Sequence, residues 1–241
     1  MTTKLSYICH NHIIYEKQTH CISSILVRFC YTFFFATSRQ YKNHKWLRCF
    51  GGLTQFDIAT DNFETKAGNG WVGGFTATVD LPHRWYAVSY SMQLSESNLE
   101  ISGRELPISS TSEVMEYKLM TVQAAFLFHL KIVKNNITLD AGPMLQYNGE
   151  LELKDDAQES YIIDGYSALM ANEISDISKF NLNGAIGATA GFENFKIRAQ
   201  YIYGFANMLN KLNDQDLSTT PSDEKFKGNQ QMIALSAMIL F

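Results

Sequence analysis

The stretch Lys118–Ile132, KLMTVQAAFLFHLKI, decides the fold. Every second position in it is apolar: Met120, Val122, Ala124, Phe126, Phe128, Leu130 and Ile132. The positions between hold Thr121, Gln123, His129 and Lys131, with Ala125 and Leu127 filling the row. Because successive side chains of a strand point to opposite sides of a sheet, a period of two predicts a β-strand with two unlike faces.

Seven other segments carry the same alternation. It is clear in 85–95, 137–147 and 195–205, and weaker in 46–58, 71–80, 180–192 and 230–241. Glycines interrupt the weaker group, as expected at bulges and tight bends. The sequence therefore predicts eight strands.

The connections between these strands alternate in length. Residues 81–84, 133–136 and 191–194 are tight, whereas those near 60–69, 98–113, 152–179 and 210–226 are long and polar. Short turns at one end and long loops at the other are typical of outer-membrane barrels. The predicted fold is all-β: an eight-stranded antiparallel up-and-down transmembrane β-barrel with both chain ends on the short-turn, periplasmic side.

The two faces of the strands predict which side meets lipid. Aromatic residues lie near the ends of the apolar faces, as in the girdles at a bilayer interface: Trp71, Trp85, Tyr86, Tyr147, Phe195, Phe205 and Phe241. The opposite faces carry few charges, so we expect them to line a narrow, filled interior where charges must pair. Asp140 is predicted to pair with Arg198 or Lys131, which would make the interior a plug of salt bridges.

Composition excludes several classes of protein. The 241 residues carry a net charge of -4 and are 46% hydrophobic, and their mean hydropathy is -0.14. These values argue against a disordered chain, a helical membrane protein and a general nucleic-acid binder.

Residues 1–40 hold four Lys and Arg against one Glu, a net charge of +3, which leaves -7 for the remainder.

Residues 1–40 differ from the rest of the chain. A short apolar run over 24–36 ends in Ala36-Thr37-Ser38, which is similar to a signal-peptidase site. We predict a leader over 1–40, a signal peptide of uncertain start, and a barrel domain over 41–241. Cys9, Cys21 and Cys30 lie in the leader, so Cys49 would remain alone and no internal disulfide is expected.

Three segments resemble a known family. They are 74–91, 139–147 with its Ala-Gly-Pro, and 198–207 with its Arg-x-x-Tyr-x-x-Gly-x-x-Asn pattern. They are similar, in the right order over about 46–241, to the PorT-like outer-membrane β-barrel family. The resemblance implies a small outer-membrane barrel, in some members tied to protein secretion. The leader departs from the family's usual signal peptide, since it is longer and less hydrophobic.

The sequence contains no catalytic motif. Gly68–Gly73 has the glycines of a dinucleotide loop but no helix follows it, and no Gly-x-Ser-x-Gly or His-Glu-x-x-His is present. His44, His83 and His129 fall at or near the periplasmic end, where an outer-leaflet enzyme would not place its base. We predict no catalytic, cofactor-binding or metal-binding residues and no cofactor.

The long loops are acidic. Residues 150–179 hold eight carboxylates against Lys154 and Lys179, and two apolar islands, 161–163 and 166–170, interrupt them. The predicted partners are outer-membrane lipid and, through these loops, other envelope or secretion proteins, with no nucleic acid and a monomeric barrel.

The leading hypothesis is a non-enzymatic protein of the bacterial outer membrane with a structural, binding or secretion-accessory role. One alternative is a soluble lipocalin-like barrel that carries a hydrophobic ligand in a lumen lined by the apolar faces. A less favoured alternative is an outer-leaflet lipid enzyme or a pore.

Overall fold

The structure, a computed structural model, describes residues 45–80, 84–105, 112–215, 217 and 225–240. The predicted leader over 1–40 lies outside the described residues, and so do His44, His83 and Phe241.

Nine strands are assigned in the described ranges, eight of them long. They are β1 Lys45–Thr60, β2 Thr65–Asp80, β3 Tyr86–Arg104, β4 Glu113–Val133, β5 Ile137–Leu153, the two-residue β6 Ile162–Ile163, β7 Phe180–Gly191, β8 Phe195–Gly204 and β9 Gly228–Leu240. Short 3-10 turns occupy Asp156–Gln158, Ala171–Ile174 and Asn210–Asp214.

The eight long strands close into a ring. Each pairs antiparallel with the next along the chain, and β1 pairs with β9 to complete the circle. Arg48 near the start of β1 lies opposite Leu240 at the end of β9, so the strand ends lie together on the short-turn side. The predicted eight-stranded up-and-down barrel is confirmed. The short β6 adds to the loop end of β3, where Gly103 pairs with Ile163.

Several strands run further than predicted. β2 begins at Thr65, and β3 continues to Arg104 and β5 to Leu153, so the predicted loops near 60–69 and 98–113 are largely strand. In these extensions the two faces exchange character. Leu99 and Ile101 of β3 point inward and are buried, whereas Glu96 and Glu100 lie on the outward face. The outward apolar row of the membrane part therefore ends before the strand does. The sequence analysis placed the end of the strand where this row ends.

The facing predicted from the sequence is confirmed. On β4, Val122, Phe128 and Ile132 are exposed on the outside of the barrel, while Thr121 and Gln123 are buried in the lumen. The lipocalin-like alternative is wrong for this reason, because the apolar faces do not line a cavity.

The outward apolar surface forms a band with definite edges. On β4 the outward row changes from Met120 to Lys118, and on β3 it changes from Leu94 to Glu96. Exposed aromatic side chains lie near the two edges of the band: Trp71, Tyr147, Phe180 and Phe205 on the loop side, and Trp85, Phe192 and Phe195 on the turn side. Bands of this kind, about 25 Å tall between aromatic girdles, mark membrane barrels.

A closed ring leaves no strand edge unpaired in lipid, which is the requirement for a sheet to span a bilayer. Among the described residues, no helix combines the length and hydropathy needed to cross a membrane. The chain is an outer-membrane β-barrel, and its location is the bacterial outer membrane, as the sequence predicted.

Glycine permits the tight curvature of this small barrel at two places. A Cβ on Gly52 of β1 would lie 2.1 Å from the carbonyl oxygen of Leu235 on β9. A Cβ on Gly142 of β5 would lie 1.9 Å from the carbonyl oxygen of Phe126 on β4. Neighbouring backbones approach too closely there for any larger residue, in keeping with glycine at bends of strongly curved sheets.

Phe126→Arg tests the facing directly. Phe126 lies midway along the outward row of β4 and packs against Tyr90, with 4.9 Å between ring centroids. A cation there would lie in the hydrocarbon, so we expect a loss of about 2–4 kcal/mol in the free energy of unfolding. Urea titration of the barrel refolded into vesicles measures it.

Lys118→Arg, on the same face but beyond the apolar band, is the control and should leave stability unchanged. Thr121→Arg and Gln123→Arg should also destabilise the barrel, but by crowding the lumen. Normal insertion and stability of Phe126→Arg would contradict the assignment of inside and outside.

Candidate functional site

The lumen is crossed at mid-height by a layer of side-chain amides. This amide layer consists of Gln93, Gln123, Gln146, Asn148, Asn183 and Gln230. Gln146 of β5 reaches across to β9, where its Nε2 donates to Gln230 Oε1 over 2.6 Å. Gln123 Nε2 and Asn183 Nδ2 donate to Gln146 Oε1 at 2.5 and 2.7 Å. The connected amides bridge the interior and satisfy most of one another's hydrogen-bonding groups, although Asn183 Oδ1 is buried without a partner.

A charged network lies below this layer, towards the short turns. Its centre is Asp140 of β5, whose side chain is fully buried. Asp140 accepts from Thr138 over 2.7 Å, meets His129 Nδ1 at 2.6 Å, and lies 3.6 Å from Arg198 Nε. It also accepts a hydrogen bond from Thr189. The predicted pair of Asp140 with Arg198 is therefore confirmed.

The other predicted partner of Asp140 is wrong. Lys131 pairs instead with Asp80 at the end of β2, and it also donates to the carbonyl of Arg84 over 3.3 Å. The two residues lie at different levels along the barrel axis, because Lys131 is opposite Thr138, two residues nearer the turn than Asp140. Its long side chain extends to the rim, where Asp80 lies.

Ser89, His129 and Asp140 follow one another in a hydrogen-bonded row. Ser89 Oγ lies 2.6 Å from His129 Nε2, and His129 Nδ1 lies 2.6 Å from Asp140. This is the order of groups in a serine hydrolase triad. Ser89 is completely buried, however, so no substrate carbonyl can reach its hydroxyl. The row can orient His129 and share charge with Asp140, and we assign it a structural role.

A cavity of about 310 Å³ opens next to this network at the short-turn end. We call it the vestibule. Many of its lining residues are charged: Arg48, Asp80, Lys131, Glu193, Lys196 and Arg198. Lys134, in the turn between β4 and β5, adds a further cation to the lining. The vestibule therefore holds five Lys and Arg against two carboxylates.

The loop end of the barrel is closed by packed loops. We define the cap as residues 154–179 and 205–215 together with Phe226. Its side chains Leu169, Ile174 and Leu212 are buried in one apolar cluster with inward residues of the strand extensions, including Ile101 and Tyr117. Burial of these apolar groups drives the loops onto the barrel mouth.

Hydrogen bonds fix the cap on the strands. Tyr117 Oη donates to the carbonyl of Ala171 over 2.9 Å, and Arg104 Nη2 donates to that of Tyr166 over 2.9 Å. The ring of Tyr166 stacks on that of Phe226, with 6.1 Å between centroids. The two apolar islands predicted within this loop, 161–163 and 166–170, thus contribute to the core of the cap.

The acidic loop residues are partly paired. Lys154 Nζ lies 2.9 Å from Glu116, Lys179 lies 3.3 Å from Glu150, and Lys211 lies 2.6 Å from Asp176. These pairs lie at the loop ends of β4 and β5 and in the loops that follow β5 and β8. Exposed pairs of this kind contribute little stability, about 0–1 kcal/mol each, so they chiefly set the charge of the surface that faces out of the cell.

The sequence-based reading did not identify two parts of the interior. The hydrogen bonds of His129 to Ser89 and Asp140 were missed, although its inward facing was predicted. Arg48 and Glu193 were missed as neighbours, yet Arg48 Nη2 donates to the carbonyl of Glu193 over 3.4 Å. One lies in β1 and the other in the turn before β8, so only ring closure could bring them together. No group of three or more His, Cys, Asp or Glu is placed to hold a metal ion in the ranges that the structure covers.

Comparison with known proteins gives similarity at the level of structure only. No protein-family model matches the chain, and no curated protein sequence matches it significantly. One similar structure is that of Neisserial surface protein A. The match covers 81% of this chain and 97% of that protein's chain, with 9% identity and a TM-score of 0.47.

A second similar structure is that of Ail, the attachment invasion locus protein of Yersinia pestis, in complex with the heparin analogue sucrose octasulfate. The match covers 82% of this chain and 99% of the Ail chain, with 11% identity and a TM-score of 0.45. The translocator domain of the autotransporter NalP from Neisseria meningitidis is similar to 93% of this chain over 98% of its own, with 10% identity and a TM-score of 0.26. At these values the function has to be argued from the residues of this chain.

Asp140→Asn tests the charged network. The change keeps the shape of the side chain but leaves Arg198 buried without its carboxylate, and the loss of one partner of a buried pair costs about 3–5 kcal/mol. We expect a loss of that order in urea unfolding of the refolded barrel.

The double variant Asp140→Asn with Arg198→Met should recover much of the loss, because it removes the stranded charge as well. Glu152→Gln, which breaks the exposed 3.2 Å pair with Lys118, is the matched control and should change stability little. Equal stability of Asp140→Asn and wild type would show that the network is not needed for the fold.

Proposed function

We propose that this chain is a non-enzymatic outer-membrane barrel with a side-chain-filled interior, acting as a structural or binding protein or as an accessory of protein secretion. The last role is the one that the resemblance to the PorT-like family implies. The single observation that carries the proposal is the filled lumen, closed by the amide layer at mid-height and by the cap at the loop end.

A filled lumen disfavours transport. Gln146 bonds at once to neighbours on β4, β7 and β9, so buried amide side chains bridge the lumen at this height. Above it, the fully buried Leu99 and Tyr117 pack against Leu169 and Ile174 of the cap. A pore would need a lumen lined by solvated side chains from one end to the other.

In the part of the loop end that the structure describes, no histidine is present to act as the base of a lipid enzyme. Several charged side chains there form exposed ion pairs, and the described histidine, His129, lies at the opposite end of the barrel. General acid–base catalysis needs such a group within reach of the substrate, so an outer-leaflet enzyme is not supported by this arrangement.

The cap is the part suited to contact another envelope protein. It is held by buried apolar side chains and by hydrogen bonds to the strands, and it presents charged residues on its outer side, such as Asp176 and Lys211. A rigid projecting surface lowers the entropic cost of binding. The proposed partners are therefore outer-membrane lipid around the band and an envelope or secretion protein at the cap, with a monomeric barrel, no nucleic acid and a cleaved signal peptide.

Two measurements test the barrel itself. In electrophoresis without boiling, the protein should migrate faster than after boiling, since a closed barrel resists detergent, and both forms should occur in the outer-membrane fraction. In planar bilayers the purified barrel should give no conductance steps. Recovery of the protein from the soluble periplasm, or stable conductance steps, would overturn this part of the proposal.

The role is tested in the source bacterium. A deletion strain is complemented with the wild-type gene or with a variant in which Asp176→Asn and Lys211→Met remove one ion pair from the outer side of the cap. If the barrel assists secretion through its cap, the deletion should lower the amount of protein secreted to the medium, and only the wild type should restore it. Unchanged secretion together with raised sensitivity to large antibiotics would instead indicate a structural role in the envelope.

A further inference from the structure

We propose that the vestibule at the periplasmic end is a binding site for a phosphate-type oxyanion. The site is independent of the cap and of the role proposed for it. It rests on a cavity of about 310 Å³, on the excess of cations in its lining, and on the burial of one of these cations without a carboxylate partner.

The charge of the vestibule is opposite to that of the chain. The whole chain carries a net charge of -4, yet the vestibule lining contains five Lys and Arg against Asp80 and Glu193. Asp80 is already engaged by Lys131, and Asp140 beneath the lining is engaged by His129 and Arg198. An excess of positive charge is therefore concentrated in one concave site, which focuses the field on an entering anion.

Lys196 is the most informative of these cations. It is 9% exposed, and its Nζ donates to the carbonyl of Asn135 over 2.6 Å. No carboxylate of the described residues lies within ion-pair distance of it. Burying an ammonium group without a carboxylate in direct contact is costly, because the group loses most of its hydration while Asp140 and Asp80 act on it only from a distance. An anion in the adjoining cavity would supply the missing charge.

Arg48 and Arg198 give the site its second and third cations. Arg48 of β1 and Lys196 of β8 lie on the two sides of β9, opposite Leu240 and Met238 respectively, and both side chains face inward. Arg198 enters the same cavity two residues further along β8. Two guanidinium groups and one ammonium around a single cavity match a tetrahedral oxyanion better than a planar carboxylate, because more oxygens can accept from them.

The site is open from the turn side. Lys134 and Asn136 of the turn between β4 and β5 belong to its lining, and Lys134 is exposed with a φ of +47°. The volume exceeds that of a phosphate ion alone, so it also admits a small phosphomonoester. Free phosphate and a phospholipid headgroup at the inner leaflet share the required chemistry, and the experiment below separates them.

The test uses the full barrel refolded in a zwitterionic detergent at low ionic strength. Inorganic phosphate is titrated by isothermal calorimetry, with chloride at equal ionic strength as the reference. We expect one site per barrel, and we expect Lys196→Met to raise the dissociation constant about tenfold or more, since it removes one charged donor. Without phosphate, the same variant should unfold at a higher urea concentration than the wild type, because its buried charge is gone.

Two further variants keep the result interpretable. Lys134→Asn removes a cation from the exposed turn without risk to folding, since Asn tolerates a positive φ, and it should also weaken binding. Lys154→Met removes a cation at the opposite end of the barrel and should bind phosphate as the wild type does.

Lipid nanodiscs distinguish the two sources of the anion. If the natural ligand is a headgroup, phosphatidylglycerol in the disc should compete with added phosphate, whereas phosphatidylcholine alone should not. If free phosphate or a soluble phosphomonoester is the ligand, the affinity should be the same in both discs. The proposal is overturned if the wild type shows no heat of binding at about 10 mM phosphate, or if Lys196→Met and Lys134→Asn both bind as tightly as the wild type.

Discussion

The structure depends on one constraint: in hydrocarbon, every backbone N–H and C=O must find its partner within the protein. Strands satisfy it only when the sheet has no edge, and the pairing of β1 with β9 removes the last one. Ring closure then fixes the rest. It turns one face of each strand to lipid, directs the other into the lumen, and brings both ends of the described barrel to the side of the short turns.

Closing eight strands also sets the width of the lumen, which is just enough for side chains to fill. The barrel meets this limit in different ways along its axis. The amide layer fills the middle with mutual hydrogen bonds, and the cap closes the loop end with apolar side chains such as Leu169 and Leu212. A chain that fills its own lumen is suited to presenting a surface rather than to conducting solutes, which is the basis of the proposed function.

The short-turn end is filled differently, by charge. Asp140 is compensated by His129 and Arg198, and Asp80 by Lys131, yet Lys196 is buried beside a carbonyl and an open cavity. Charges in a low-dielectric lumen are retained only where they are paired or where they serve a ligand. The paired charges account for stability, and the remaining cation is the reason to assign an anion to the vestibule.

Much of the fold could be predicted from the sequence, because the alternation of Lys118–Ile132 is local and one side of each strand must be apolar in lipid. The eight strands, their facing and the pair of Asp140 with Arg198 follow from that rule. The extensions of β3 and β5 were missed, because there the inward positions, such as Leu99 and Leu151, become apolar and the outward positions become polar. Three other features could not be predicted: the cap, the Asp80–Lys131 pair and the vestibule. Each consists of residues that are distant in sequence, and these residues come into contact only through strand stagger and ring closure. The sequence by itself determined the strands and their two faces; only the tertiary structure decided which charges face one another across the lumen.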